Sequence, residues 1–558
     1  MTNITHRFPR SGPRDAATIF HDILAARGYQ SEADAHTFIH PPTPDLAYVI
    51  EESGLSRDTL KGVQAVLDTY LASGDDIAVF GDYDADGVTA TAALWLGLLA
   101  YAKRVHSHSR ILPFVPDRHA HGYGLSSAAV KAVISGTGFA DTKYPDFRPR
   151  LVITVDNGIV AHAGVSELNA AGIAVVITDH HQPLPTLPEA RAILHTTATS
   201  GAGVAWILAL YLLEDTAFAR DLIEYATIGI VADLMPLTGL NRSIVVSGLK
   251  ALSTTKRPGL LALYESAGLT GKTLSTYDLS FALAPRINAA GRIYNPLDAL
   301  RLLCTGDREQ AHTLAAQIES HNQDRQNLTE AAILDAEKAG ATGNITVTIG
   351  PYHEGVIGLV AGKLAEKSHH PAIVMSEGED VVKGSARSIP GFDITAFLRS
   401  LTTPFVGLGG HAGAAGFSLQ RRDVEAFMTE VETRAKEIPA ELLVKSLLVE
   451  TELTLSEATM SLAEMLKSLE PYGMENPRPL FLIKEVTVLE DRRLGSEGQH
   501  RKVTIHQGGT TRELILFRNG LPHPLTKLSR VVATLDINVW RGKTSLQLIG
   551  NYVETPTD

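Results

Sequence analysis

The chain has 558 residues, too many for one hydrophobic core, so about three domains are expected. A hydrophobic share of 44% and a charged share of 20% suit packed globular cores, and a net charge of −12 argues against broad, non-specific binding of nucleic acid. The single cysteine, Cys304, excludes internal disulfides and thiolate zinc clusters and fits a reducing cytoplasm.

The opening stretch MTNITHRFPRSGPRD carries no apolar core of a signal peptide. From about Asp75 to Pro185 the pattern is apolar strand, polar turn, helix, repeated. Asp76–Phe80 leads into an acidic, glycine-flanked loop and an apolar helix from about Val88. Leu151–Val155 leads into Asp156-Asn157-Gly158, and Ala174–Thr178 into Asp179-His180-His181. Short β-branched runs alternating with helices predict a doubly wound parallel sheet. Ligands of such sheets gather outside the carboxyl ends of the strands, where all three polar clusters fall. The apolar runs Ala90–Ala102 and Val204–Leu213 are shorter than the ~20 residues of a bilayer span and read as buried helices. From about Arg308 to Lys338 the chain is polar and helical, without proline or glycine until Gly340, which predicts a connecting helix. A second α/β segment follows from Ile345 to about Lys436. Alternation in Lys502–His506, Glu513–Phe517 and Val531–Asn538 then predicts a small β-barrel.

The acidic loop Gly81-Asp82-Tyr83-Asp84-Ala85-Asp86-Gly87 places carboxylates at alternate positions. In an extended chain alternate side chains share a side, and acids so crowded repel unless cations neutralise them. Asp156 and His180 at strand ends, and Asp233 inside the apolar stretch Val231–Pro236, add oxygen and nitrogen donors but no sulfur. Such a set suits Mn²⁺ or Mg²⁺. Each piece has a plain alternative: a calcium loop or solvated turn, an Asn-Gly turn, hydrogen-bonding histidines, a helix cap. Their strand-end order is what gives them weight together.

Read in sequence, DYDADG, VDNG, TDHH and VADLMPL resemble the four motifs of the DHH phosphoesterase superfamily, and most closely its RecJ branch of single-strand-specific exonucleases. The likeness extends through Phe114–Arg118, Gly122–Leu125, Ala284–Arg292 and Gly409–Gly416, and so over nearly the whole chain. It implies an α/β fold with a DHH domain over 1–304, a connecting helix over 305–340, a DHH-associated nucleic-acid-binding domain over 341–438 and an oligonucleotide-binding (OB-fold) barrel over 445–556. It implies 5′→3′ hydrolysis of single-stranded DNA to mononucleotides, in repair and recombination, by a cytoplasmic monomer that meets a single-strand-binding protein and a helicase. Carried over residue by residue, Asp84, Asp86, Asp156, His180 and Asp233 would hold two ions. Asp156 would bridge them, Asp86, His180 and Asp233 would complete the better-supplied site, and Asp82 would assist Asp84 at the other. Phe80 stands where some superfamily members have a histidine, so that other site would be the weaker. His181 would face the scissile phosphate, with Asp156 and His181 as the catalytic pair.

The chemistry has its own logic. A phosphodiester anion repels hydroxide and has a poor leaving group, and paired divalent ions roughly 3.5–4 Å apart answer both problems. For the strand itself, Arg286, Asn288 and Arg292 offer forks that match phosphate, or else an interdomain salt bridge. Gly384–Ser388 offers hydroxyls and a guanidinium at one loop. By the resemblance, Arg118, Arg292, Ser385 and Arg387 would grip a 5′-phosphate. The glycine-rich loop Gly409–Gly416 allows close backbone approach, with His411 as its contact. Trp540, beside Arg541 on the barrel, is either a stacking platform or core. Departures from the family pattern lie in a shortened Leu194–Gly201 loop, in Tyr352-His353-Glu354 and in Gly362-Lys363. Two other readings stand beside this one: a DHH enzyme of short oligonucleotides, cyclic dinucleotides or pyrophosphate, and a metal-free replication scaffold. The connecting helix and barrel favour a polymer substrate, and the intact donor set favours an enzyme.

Overall fold

The strand Ile77–Phe80 is buried on both faces, as central strands of a covered parallel sheet must be. A computed structural model describes residues 2–10, 12–118, 120–140, 142–339, 343–495, 498–518, 521 and 524–556. In it Ile77–Phe80 lies within a five-stranded parallel sheet ordered Ile111–Phe114, Ile77–Phe80, Leu151–Val155, Ala174–Asp179, Ala192–His195. Phe80 pairs with Thr154, and Val155 with Thr178. The loops beginning at Gly81, Asp156 and His180 therefore leave the sheet side by side along one edge.

Two apolar helices, Gly201–Leu212 and Ile223–Ala232, pack on a third, Ala85–Arg104. The helix Ala85–Arg104 is long and apolar enough to cross a membrane, but 78% of its apolar window is buried within the protein. The connecting helix runs Arg308–Ala339; its expected stop, Gly340, lies outside the described residues. Beyond it a mixed sheet is ordered Gly407–His411, Ala414–Gln420, Val381–Arg387, Ala372–Ser376, Thr346–Gly350, with only the last pair parallel. Ser385 and Arg387, expected in a loop, lie on the strand Val381–Arg387, whose period of two turns both to one face. Gly409–Gly416 is likewise a tight hairpin of two paired strands and not an open loop. At Gly410, where φ is +150°, a Cβ would lie 2.3 Å from the Ala414 carbonyl oxygen.

Chain order does not define the compact units. One comprises Thr43–Met235 with Ile244–Lys445, the other Met1–Pro42, Pro236–Ser243 and Ser446–Asp558. In the second unit the strands run Thr451–Glu452, Phe481–Leu494, His500–Gln507, Thr510–Leu516, Lys543–Glu554, Lys527–Trp540, and pairing of Phe481–Leu494 with Lys527–Trp540 closes the barrel. Ile19, Ile23 and Phe38 from the N-terminal helices share its core with Phe481, Val503 and Leu548. Asn3–His6 pairs in parallel with Ser446–Val449. Arg242 fastens the inserted segment: its guanidinium donates to the carbonyls of Phe38 (2.6 Å), Leu469 (3.0 Å) and Glu470 (2.8 Å) and lies 3.9 Å over the Phe38 ring.

Candidate metal centre

The acidic loop is not extended through its length. Asp84 is the N-cap of the helix Ala85–Arg104, its side chain accepting from the Gly87 N–H at 2.9 Å. Asp86 thus sits in the first helical turn, and the alternation expected from an extended chain does not set its direction. What sets it is a second helix end: the N–H groups of Gly201 (2.8 Å) and Ala202 (3.1 Å) donate to the Asp86 carboxylate. Helix N-termini favour anions in this way.

Three carboxylates converge on one imidazole. His180 Nε2 lies 3.1 Å from Asp156 Oδ1, 3.7 Å from Asp233 Oδ2 and 3.8 Å from Asp86 Oδ2. Donor atoms of Asp86, His180 and Asp233 lie within 4.8 Å of one another, as do those of Asp156, His180 and His181. Asp82 and Asp84 stand outside both groups but close enough to act electrostatically on Asp156. Phe80 is fully buried against Phe114, ring centroids 5.1 Å apart, and contributes no ligand.

This crowding is unfavourable for charge. Burial, then repulsion from Asp86, Asp84 and Asp82, raises the Asp156 carboxyl well above its ordinary range. Burial and then Asp84 push Asp82 up to about 7, and desolvation in the crevice followed by Asp86 and Asp84 pushes Asp233 up to about 8. Burial lowers His180, which keeps its ring neutral and its lone pair available. Asp156 Oδ1 is buried and accepts no hydrogen bond, and Asp156 itself is held at φ +61°, a region that costs energy for a residue with a Cβ. An orphaned carboxylate oxygen among acids and a neutral imidazole fits divalent cations bound through oxygen and nitrogen.

Several groups that sequence reading passed over hold this geometry. Asp179, half of a motif pair, accepts from the Ile159, His180 and His181 N–H groups and from His181 Nδ1 at 2.8 Å. That bond first, against the effect of burial, raises His181 to about 9 and keeps it cationic. His195, the last residue of the strand Ala192–His195, contacts the His181 carbonyl through Nε2 at 2.7 Å. Gly201 and Gly229 make room for two of these carboxylates: a Cβ would stand 2.4 Å from Asp156 Oδ1 at the first and 2.2 Å from Asp86 Oδ1 at the second. Their only sequence signal was small residues within apolar helices.

The expected strand-binding residues divide. Arg118, Arg292, Ser385 and Arg387 line one cavity of about 430 Å³ with Lys383 and Glu354. Arg292 donates to the Gly355 carbonyl at 3.4 Å, and Arg387 to Ser385 Oγ (3.1 Å) and the Ala386 carbonyl (2.9 Å). Neither forms an ion pair among the described residues. Burial first, then the charges of Arg118, Arg325 and Arg387, lowers Arg292 to about 10, so the cavity calls for an anion. Asn288 instead accepts from the Ala85 N–H at 2.8 Å and braces the acidic loop. Arg286 pairs with Glu319 of the connecting helix at 2.5 Å, the salt-bridge alternative. His411 is exposed at the end of the Gly407–His411 hairpin strand and does not line the cavity, which Gly407, Leu408 and Gly409 reach. Trp540, in the other unit, is 67% exposed beside Arg541, which excludes the core alternative.

Models of three families match the chain: the DHH family N-terminal domain over 76–232, the DHHA1 domain over 343–437 and the RecJ OB domain over 449–551. Among curated relatives, single-stranded-DNA-specific exonuclease RecJ of Dickeya dadantii is 34% identical, over 87% of this chain and 88% of that protein. The Salmonella typhimurium protein of the same name is 32% identical over 96% of each. The Bacillus subtilis one is 33% identical over 94% of this chain, which spans 66% of that longer relative. Among solved structures, Thermus thermophilus RecJ in complex with Mn²⁺ superposes with a TM-score of 0.81 at 29% identity, covering 100% of this chain and 80% of that one; its Mg²⁺ complex gives 0.74 at 27% identity, covering 100% and 79%.

Proposed function

Because the chain belongs to the RecJ family, we propose that it is a Mn²⁺- or Mg²⁺-dependent exonuclease that degrades single-stranded DNA from a 5′ end to mononucleotides during repair and recombination. The observation that carries the proposal is the convergence of Asp86, Asp156 and Asp233 on His180 Nε2 at 3.1–3.8 Å. Asp86, His180 and Asp233 would hold one ion, Asp84 with Asp82 alongside would hold another, and Asp156 would serve both. Bound ions supply Lewis acidity, neutralising the phosphodiester and making water a nucleophile near neutral pH.

The protein's own groups do the rest. His181, kept cationic by Asp179, carries a positive charge toward the reacting phosphate and a proton for the leaving oxygen. Arg118, Arg292, Ser385 and Arg387 receive the terminal 5′-phosphate, and that grip sets polarity. Trp540 and Arg541, on the barrel, take a base and a phosphate of the strand. By the same kinship the enzyme works as a cytoplasmic monomer beside a single-strand-binding protein and a helicase. The test is a single strand labelled at either end. Prompt mononucleotide release from the 5′ label, dependent on added Mn²⁺, is expected; internal cuts, or release only from the 3′ label, would overturn the proposal.

A further inference from the structure

Tyr277 and Phe281 are each 69% exposed, and their rings stack on one another, centroids 4.6 Å apart at 29°. Two large aromatic rings held together in water are costly unless something covers them. Their backbone is fixed. A Ser275–Asp278 capping box starts the turn, and a single π-helical turn, Leu279–Leu283, follows it; such turns cluster at functional sites. Leu279 and Leu283 are fully buried, so the opposite side, bearing the rings, faces outward.

The inward side packs on the helix Ile223–Ala232, which is capped by the metal-centre residue Asp233. The chain then runs without a break into the helix Ala284–Ile293. That helix braces the acidic loop through Asn288 and presents Arg292 to the anion cavity. The ring pair is thus built onto the same two helices that frame the metal centre.

We propose that Tyr277 and Phe281 form a base-stacking platform for the single-stranded substrate, carried on the helices that frame the metal centre. The proposal rests on the exonuclease reading above. Nucleobases fit better than a protein partner. Two rings supply at most roughly 300–500 Å² of contact, against about 800 Å² per side in a stable protein interface. A stacked aromatic pair also accepts any base in turn, as an enzyme that advances along a strand requires.

The test uses the full chain, a single strand of about 20 nucleotides carrying 2-aminopurine at successive positions, and the variant Y277A/F281A. Both side chains are exposed, so the variant should fold. KM should rise about 5- to 150-fold, the worth of one base–aromatic stack. The position-specific 2-aminopurine quenching seen in the parent without metal should disappear, and F281W should restore both. A KM within twofold of the parent, quenching that persists in Y277A/F281A, or failure of F281W to restore either would overturn the platform. If the parent itself fails to degrade single strands, the exonuclease reading falls, while the quenching still tests whether bases stack on these rings.

Discussion

Replacing Gly201 by alanine perturbs the metal centre without removing any ligand. The new Cβ would stand 2.4 Å from Asp156 Oδ1 and 2.4 Å from its Cβ, where ordinary contact begins at 3.4 Å. The Asp156 carboxylate, or the first turn of the helix Gly201–Leu212, must therefore shift by about 1 Å, the difference 3.4 − 2.4. Neither can move freely. Asp156 is already at φ +61°, and the Gly201 N–H holds Asp86 at 2.8 Å. A misplacement of this size at a reacting centre costs on the order of 10²-fold in turnover. Stability should change less, because overpacking of roughly 1–3 kcal/mol is offset by up to ~1 kcal/mol of better helix propensity. The assay is kcat on a 5′-labelled single strand across a Mn²⁺ titration, alongside Tm. A folded G201A protein with kcat within threefold of the parent would refute the contact argument.

Asp156→Ala should abolish turnover even in excess Mn²⁺, because it would remove the ligand proposed to serve both ions; substantial recovery with added metal would count against that role. Asp82 and Asp233, raised to about 7 and about 8, hold protons in the metal-free fold above the unfolded value of 3.8. Metal-free stability should therefore fall as pH rises from about 4 to 8. The Tm gain on adding Mn²⁺ should grow over the same window, since bound metal displaces those protons; a gain that is flat or larger at low pH would contradict this. Arg292→Ala should weaken binding of a 5′-phosphorylated strand about 10- to 150-fold, the loss of a hydrogen bond to charge, and erase its advantage over a 5′-hydroxyl strand. An unchanged preference, measured as the ratio of kcat/KM values, would remove Arg292 from the phosphate grip.

The parallel sheet and the connecting helix could be read from sequence because their signals are local. Buried strands are continuous apolar runs, and Arg308–Ala339 contains no breaker. The convergence of Asp156 and His180 followed from strand-end position alone. What could not be read depends on contacts between distant segments. Nothing within Pro236–Ser243 signals that Arg242 will cap carbonyls near residue 470, or that the N-terminal helices will share the barrel core. Arg286 and Arg292 look alike in sequence, and only Glu319, 33 residues from Arg286, separates a guanidinium held in an ion pair from one that has none among the described residues. Gly201 reads as one more small residue until the Asp156 carboxylate is seen against it.

Anomalous scattering from crystals grown with Mn²⁺ tests the central claim most directly. Two peaks about 3.5–4 Å apart are expected, both touching Asp156, one reached by Asp86, His180 and Asp233 and the other by Asp84. Peaks elsewhere, or none among these side chains in a protein that still degrades single strands, would contradict it.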